Sequence, residues 1–404
     1  MKMKSKLMFL GMIFILGCAA AKADNQRGDP TLFALDAKAL EKNRSRIRTK
    51  DAGILPAYEA LLKEASKALD FGPVSVMEKK HVPPSGSKHD YMSLAPYHWP
   101  DPSKPGGLPY IRKDGQTNPE VKEYKDKEYM PMLCDALRTL SLAWYFSGEN
   151  MYAEHASKLL RTWFLDTATR MNPNLNFAQA VKGVNTGRGA GLIDSRHFIK
   201  VIDAIGLLQE SKYWKPADQH GMKIWFAEFL NWMQTSENGI DEMDAPNNHG
   251  AWYDAQRLAM ALFIGDRDQA RKVVISAQER LDRQMDESGS FPKEMERTIS
   301  LHYTSFVMQA FFTIAQMADD AGMDLWNYTS PSGRSVKKGF DVLSPYLMGE
   351  KEWQGRQIKP FDMEDGYFLL MEASKRFNCR NCEAAVRNLA GEKASRLQIN
   401  LLYN

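Results

Sequence analysis

From residue 128 onwards, apolar residues return every three or four positions, and this period constrains the fold more than any other feature of the chain. Met132, Leu133, Ala136, Leu137 and Leu140 form one stripe, and Phe198, Val201, Ile202, Ile205 and Leu208 form another. Ile224, Trp225, Phe229, Trp232 and Met233 continue the series, followed by Leu258, Met260, Ala261 and Phe263. Phe306, Val307, Ala310, Phe311, Ile314 and Met317 complete it. Such spacing puts the apolar residues on one helix face, whereas strands alternate. The stripes read as core packing and not as cofactor surfaces. Gly148-Glu149-Asn150, Gly265-Asp266-Arg267 and Gly322-Met323-Asp324 interrupt them as helix ends with short turns. Long helices joined by short turns pack as antiparallel neighbours, so about ten such elements predict an all-α closed ring or bundle of helical hairpins. A ring of this kind accommodates more residues than the usual domain of about 100–200 without splitting. With no β-rich block at the C-terminus, residues 24–404 are expected to form a single domain.

The first residues are expected to direct export. Lys2, Lys4 and Lys6 precede the apolar run Leu7–Leu16 and a small-residue stretch, the three parts of a secretory signal. The run is too short to span a bilayer, which takes about 20 apolar residues. Two exits are present. Ala21-Lys22-Ala23 suits ordinary cleavage before Asp24, and Ile15-Leu16-Gly17-Cys18 resembles a lipobox that would leave a lipid anchor on Cys18. The mature chain would then be periplasmic or anchored to the outer membrane. Removing the four lysines of residues 1–23 from a balance of 53 basic and 50 acidic residues leaves the mature chain near neutral. Such a chain has no overall field suited to nucleic acid, and a polyanion would have to be held by local cations. Cys379 and Cys382 read as a pair of partly buried thiols or a local disulfide. The eight histidines are scattered, without a His-x-x-x-His pair, and no metal or other cofactor is expected.

Two stretches break the helical rhythm: residues 82–120, with six prolines between 83 and 105, and the Asn- and Gly-rich residues 172–194. Long loops on a rigid scaffold are where binding residues concentrate. The first brings Tyr97, His98 and Trp99 together; Gln179, Asn185, Arg188, Arg196 and His197 lie in or just after the second. The aromatic residues suit sugar stacking and the cations suit carboxylates, although an ordinary ion pair is as good a reading of each arginine.

Two further segments carry chemistry. Pro246-Asn247-Asn248-His249-Gly250-Ala251-Trp252-Tyr253 opens a helical pattern, so its asparagines suit a helix cap, and Trp252 and Tyr253 join the candidate stacking residues. The segment from Phe291 to Tyr303 holds Glu294, Arg297, His302 and Tyr303; on one helix, Arg297 and Tyr303 would share a face only loosely. Asn248, His249, Arg297 and Tyr303 together match the needs of β-elimination from a uronate. Its C5 proton becomes acidic once the adjacent carboxylate is neutralised, which Asn with Arg or protonated His can do. A base then removes that proton and an acid protonates the departing O4. A tyrosine serves both steps if a cation such as Arg297 lowers its pKa from about 10. Glu294 and His302 are counted with the substrate groove.

The Asn-Asn-His run followed by aromatics, with the downstream Arg297 and His302-Tyr303, resembles the alginate lyase family of α/α-barrel polysaccharide lyases. The loop from Tyr91 to Pro102, with Asp114-Gly115-Gln116-Thr117-Asn118-Pro119-Glu120, is similar to its Bacteroidetes-type branch. The resemblance runs from about residue 60 to 370. It implies an α/α toroid and an acidic polysaccharide substrate such as mannuronate-containing alginate. It also implies an Asn248–His249 pair around the carboxylate, Arg297 beside it and Tyr303 as acid/base. The Arg-to-Tyr gap is one residue shorter than in the classical mannuronate lyases, and the branch extends to other uronates, glucuronan among them. A glycoside hydrolase on the same scaffold is the rival reading, with Asp241, Glu242, Asp244, Glu294 and Glu296 as its carboxylates. A non-catalytic glycan-binding protein would leave the four-residue set without a purpose.

Overall fold

The computed structural model describes residues 30–403, so the expected signal and Cys18 lie outside the described residues. Among those described are fourteen α-helices, more than the stripes alone suggest: α1 (Ala37–Arg48), α2 (Leu55–Ala68), α3 (Lys125–Ser147), α4 (Asn150–Leu160), α5 (Phe198–Leu208), α6 (Pro216–Thr235), α7 (Glu237–Met243), α8 (Asn248–Ile264), α9 (Arg267–Gln284), α10 (Pro292–Met295), α11 (Ser300–Ala318), α12 (Val336–Leu347), α13 (Glu364–Arg376) and α14 (Cys382–Ala390). None is long and apolar enough to cross a membrane.

The order of packing makes the toroid. Helices α3, α5, α8, α11 and α13 touch one another in sequence, and α4, α9, α12 and α14 each pack against the inner helix that precedes them. Burial separates the two layers. Helices α8 and α11 are buried almost all round, whereas α9 buries one stripe (Ala270, Val273, Val274, Ala277, Leu281) and turns charged residues outwards. Met132 and Ile224, expected in the core, prove to be exposed. Gly148 and Gly265 end α3 and α8 in the left-handed conformation (φ 77° and 91°), which glycine adopts without steric cost. Helix α2 and the C-terminal turns from Gly391 to Leu401 bridge α14 and α3. The Asn43 amide fastens that seam by donating to the carbonyls of Asn400, Leu401 and Tyr403. Cys379 and Cys382 form a disulfide between α13 and α14, and Cys134 is a buried free thiol.

The two non-helical stretches are bonded to each other. Strand β1 (Met92–Leu94) pairs in parallel with β4 (Phe177–Ala180), while β2 (His98–Trp99) and β3 (Ile111–Arg112) form a small antiparallel ladder. Buried Asp194 is the joint between them. It accepts from Tyr91 Oη (3.0 Å), Ser93 Oγ (2.9 Å) and Gln179 Nε2 (3.0 Å), and from Lys127 at the head of α3. The loops therefore sit as one layer over the N-terminal ends of α3, α8 and α11.

Candidate active site

At the head of α8 three adjacent residues divide the polar work. Asn247 is the cap: its side-chain oxygen accepts from the His249 backbone N–H at 3.2 Å. Asn248, only 1% exposed, donates its backbone N–H and side-chain amide to the two oxygens of Glu294, at 2.6 and 2.8 Å. Its Oδ1 is closed off from solvent and has no hydrogen-bond partner. His249 Nδ1 lies 2.7 Å from Oε1 of buried Glu242. A carboxylate accepts, so Nδ1 carries a hydrogen and Nε2 is the nitrogen left to meet the cavity.

The facing wall is built around Tyr303. Arg297 is not on the tyrosine's helix: it lies in the turn before α11 and folds back until its guanidinium is 3.6 Å from the centre of the tyrosine ring. Asp114 takes that guanidinium in a fork, from Nε at 3.1 Å and Nη2 at 2.7 Å, and also accepts from the backbone and hydroxyl of Thr298. Burial of the Asp114 carboxyl opposes its ionisation, but these donors and the Arg297 charge hold its pKa well below the usual carboxylate range. The Tyr303 hydroxyl donates to Tyr97 Oη at 2.9 Å. Its pKa corrects the expectation from sequence. Burial, with Tyr97 beside it, pushes the phenol far above 10, and Arg297 pulls it back only in part. At rest this phenol holds its proton.

Tyr97, His98, Gln179, Arg188, Arg196, Asn248, His249, Arg297, His302 and Tyr303 all line one cavity of ≈ 570 Å³. The other residues expected in the groove lie elsewhere. Trp99 donates its indole N–H to the Gln116 carbonyl and packs under Lys113 within the first loop. Asn185 closes the turn at Val181 by accepting that residue's N–H. Tyr253 is fully buried behind α8, its hydroxyl on the Met233 carbonyl. Glu294 stands behind Asn248, and Trp252 and His197 line a separate, deeper cavity. In each case the helix or turn orients the side chain away from the opening, which spacing along the chain does not reveal.

With this geometry in hand, comparison with known proteins is informative. The family model described as alginate lyase matches residues 75–353. The crystal structure of an alginate lyase from Bacteroides ovatus is 40% identical with a TM-score of 0.88, covering 93% of this chain and 99% of that one. The chain belongs to the alginate lyase family. Alginate lyase A1-III from Sphingomonas species A1 has the same fold at 17% identity, with a TM-score of 0.54 over 86% of this chain and 88% of that one. Its complex with a tetrasaccharide superimposes equally well. No curated protein matches the sequence.

The cavity of this polysaccharide lyase also holds residues that sequence reasoning passed over. Arg112 and Lys127 line the cavity and Asp114 fixes Arg297. Lys127 sits in the run Lys125-Asp126-Lys127-Glu128, which looks like any solvated helix start; the Asp114-Gly115 loop motif was the one available signal for Asp114. Two guanidinium groups at the cavity are held by neutral oxygens alone. Arg188 donates to the carbonyl and side-chain oxygens of Gln179 (3.2 and 3.1 Å), and Arg196 to the Ile193 carbonyl (3.0 Å) while lying over Phe306. Among the described residues neither has a carboxylate partner. Gln179, which aims Arg188, holds the left-handed conformation (φ 50°) that a non-glycine residue rarely adopts.

Proposed function

We propose that the lyase cleaves alginate by β-elimination, with a preference for mannuronate. The observation that carries this reading is the meeting, in one cavity, of a protonated Tyr303 phenol, a His249 ring oriented by Glu242, and two guanidinium groups without carboxylate partners. Arg188 and Arg196 receive the uronate carboxylate and make the C5 proton acidic. His249 Nε2 takes that proton. The C5–H electrons form the C4–C5 double bond, the C4–O4 bond breaks, and Tyr303 gives its proton to O4. Arg297 binds no carboxylate of the substrate in this scheme; it clamps the tyrosine ring. Base and acid stand at the same ends of neighbouring helices, α8 and α11, and so approach a sugar from one side. That geometry suits a syn elimination, and in mannuronate the C5 hydrogen and C4 oxygen lie on the same side of the ring. The hydrolase reading is weaker because Glu242 and Glu294 are engaged in holding His249 and Asn248.

The test is to incubate the protein with polymannuronate, polyguluronate and glucuronan while following absorbance at about 230 nm, where the conjugated product absorbs, together with product size. Polymannuronate is expected to react fastest. Faster cleavage of either other polymer overturns the preference, and new reducing ends without absorbance overturn the elimination. We also propose export on the strength of residues 1–23. Mass spectrometry of the native protein should find Asp24 or lipidated Cys18 at its start, and an intact Met1 on cytoplasmic protein counts against it.

A further inference from the structure

Beneath the catalytic cavity lies a second, of ≈ 520 Å³, which shares Arg196, His302 and Phe306 with it. Its walls descend α5 from Ile199 to Leu207 and α11 from His302 to Gln316, so it runs between the inner helices away from the catalytic end. Ala34, Leu35 and C-terminal residues up to Tyr403 line its far end. These segments are fastened: Asp203 accepts from the backbone N–H groups of Phe33 (2.8 Å) and Ala34 (3.1 Å), and Asn43 holds the C-terminal turn.

Arg138, midway along α3, faces this space. Among the described residues its guanidinium has no ion pair and no hydrogen bond, and its Nε is shut off from solvent. A charge in that position is costly, and no hydrogen bond or contact ion pair offsets it. Asp203 and Asp135 are the nearest opposite charges, but neither touches the guanidinium: Asp203 accepts from two backbone N–H groups and Asp135 holds Lys200 at 2.6 Å. Glu364 and Asp365 lie at the head of α13, with Asp365 3.7 Å from His302. Burial, with Arg196 and Lys200 nearby, keeps His197 neutral. Trp252, Phe306 and Phe368 add apolar faces, giving the mixture of flat surfaces and few polar anchors that small-ligand pockets of about 300–1,000 Å³ use.

We propose that the inner cavity is a uronate subsite in which Arg138 binds the carboxylate of one sugar residue. This inference rests on the alginate reading above. Its occupant is a chain end or a released fragment, entering where the cavity meets the catalytic one at Arg196, His302 and Phe306. The experiment compares wild-type protein, Arg138→Gln and Arg138→Lys on mannuronate oligomers of increasing length, with the unsaturated disaccharide added as competitor. Arg138→Gln is expected to raise KM by about tenfold, as loss of one charged hydrogen bond does, with kcat kept and the effect growing with oligomer length. Arg138→Lys is expected to recover part of it. The melting temperature of Arg138→Gln should hold, since no hydrogen bond or contact ion pair is lost and a buried charge is removed. Competition by the disaccharide that disappears in Arg138→Gln identifies the fragment as occupant; its absence, with the KM effect present, identifies the chain end. An unchanged KM at every length, or a KM effect equal at all lengths with a lower melting temperature, overturns the subsite. Failure of the wild type to cleave polymannuronate at all strikes the parent reading instead.

Discussion

The wall around α11 and the wall formed by residues 177–197 use arginine in opposite ways. On the first, Arg297 is consumed within the protein: Asp114 occupies its fork and the Tyr303 ring lies under its face. On the second, Arg188 is steered by neutral oxygens of Gln179, and Arg196 by a carbonyl, so neither charge is met by a contacting carboxylate, and in the proposed mechanism both serve the substrate. The difference teaches that a cation's function is read from its partners. A guanidinium already paired with a carboxylate acts as a brace, and one satisfied only by amides acts as a receptor. Polarity of the wall follows the same division, since the brace side keeps a phenol protonated and the receptor side is ready for an anion.

The comparison can be tested hardest at Tyr303. Tyr303→Phe keeps the ring that Arg297 braces and removes only the oxygen. Its kcat should fall by about a hundred- to ten-thousandfold, the range for loss of a general acid, with KM little changed. Stability should fall by about 0.5–1.5 kcal/mol for the lost bond to Tyr97. A folded variant with near-native turnover would remove the tyrosine from the mechanism.

A smaller effect separates the two arginine types. Arg188→Gln should lower kcat/KM by about ten- to a hundredfold, as loss of a charged hydrogen bond to substrate does, while the melting temperature holds. Asp114→Asn should do the reverse: it leaves Arg297 without its counter-charge and destabilises the fold by about 1–3 kcal/mol, with a lesser effect on kcat/KM. Kinetics and thermal melts on both variants decide the matter, and identical behaviour would abolish the distinction between brace and receptor.

The smallest expected effect is in acid. The Asp114 pKa is depressed in the folded state, so its contribution to stability is present above the ordinary carboxylate pKa of about 3.9. It is lost as pH falls from there towards the depressed value. Melting curves of wild type and Asp114→Asn should therefore converge on acidification below about pH 4 and stay separated at neutral pH. Parallel curves throughout would mean that Asp114 does not titrate with folding.

Much of this architecture was legible in the sequence because helix formation is a local matter. A 3.6-residue period, with glycine at 148 and 265, needs only neighbours along the chain to be recognised, and the stripes at Phe198–Leu208 and Phe306–Met317 became inner helices of the ring. The two proline- and asparagine-rich stretches were marked in the same way, by what they could not form. Which side chain works with which was decided by the tertiary structure. Asp114 meets Arg297 across 183 positions, and Tyr97 meets Tyr303 across 206. Without those partners Arg297 looked like a receptor for carboxylate and Tyr303 like a phenol of lowered pKa. With them, Arg297 is braced against Asp114 and Tyr303 is a buried phenol that keeps its proton, because the charge state and reach of a side chain depend on groups that only the closed ring brings beside it.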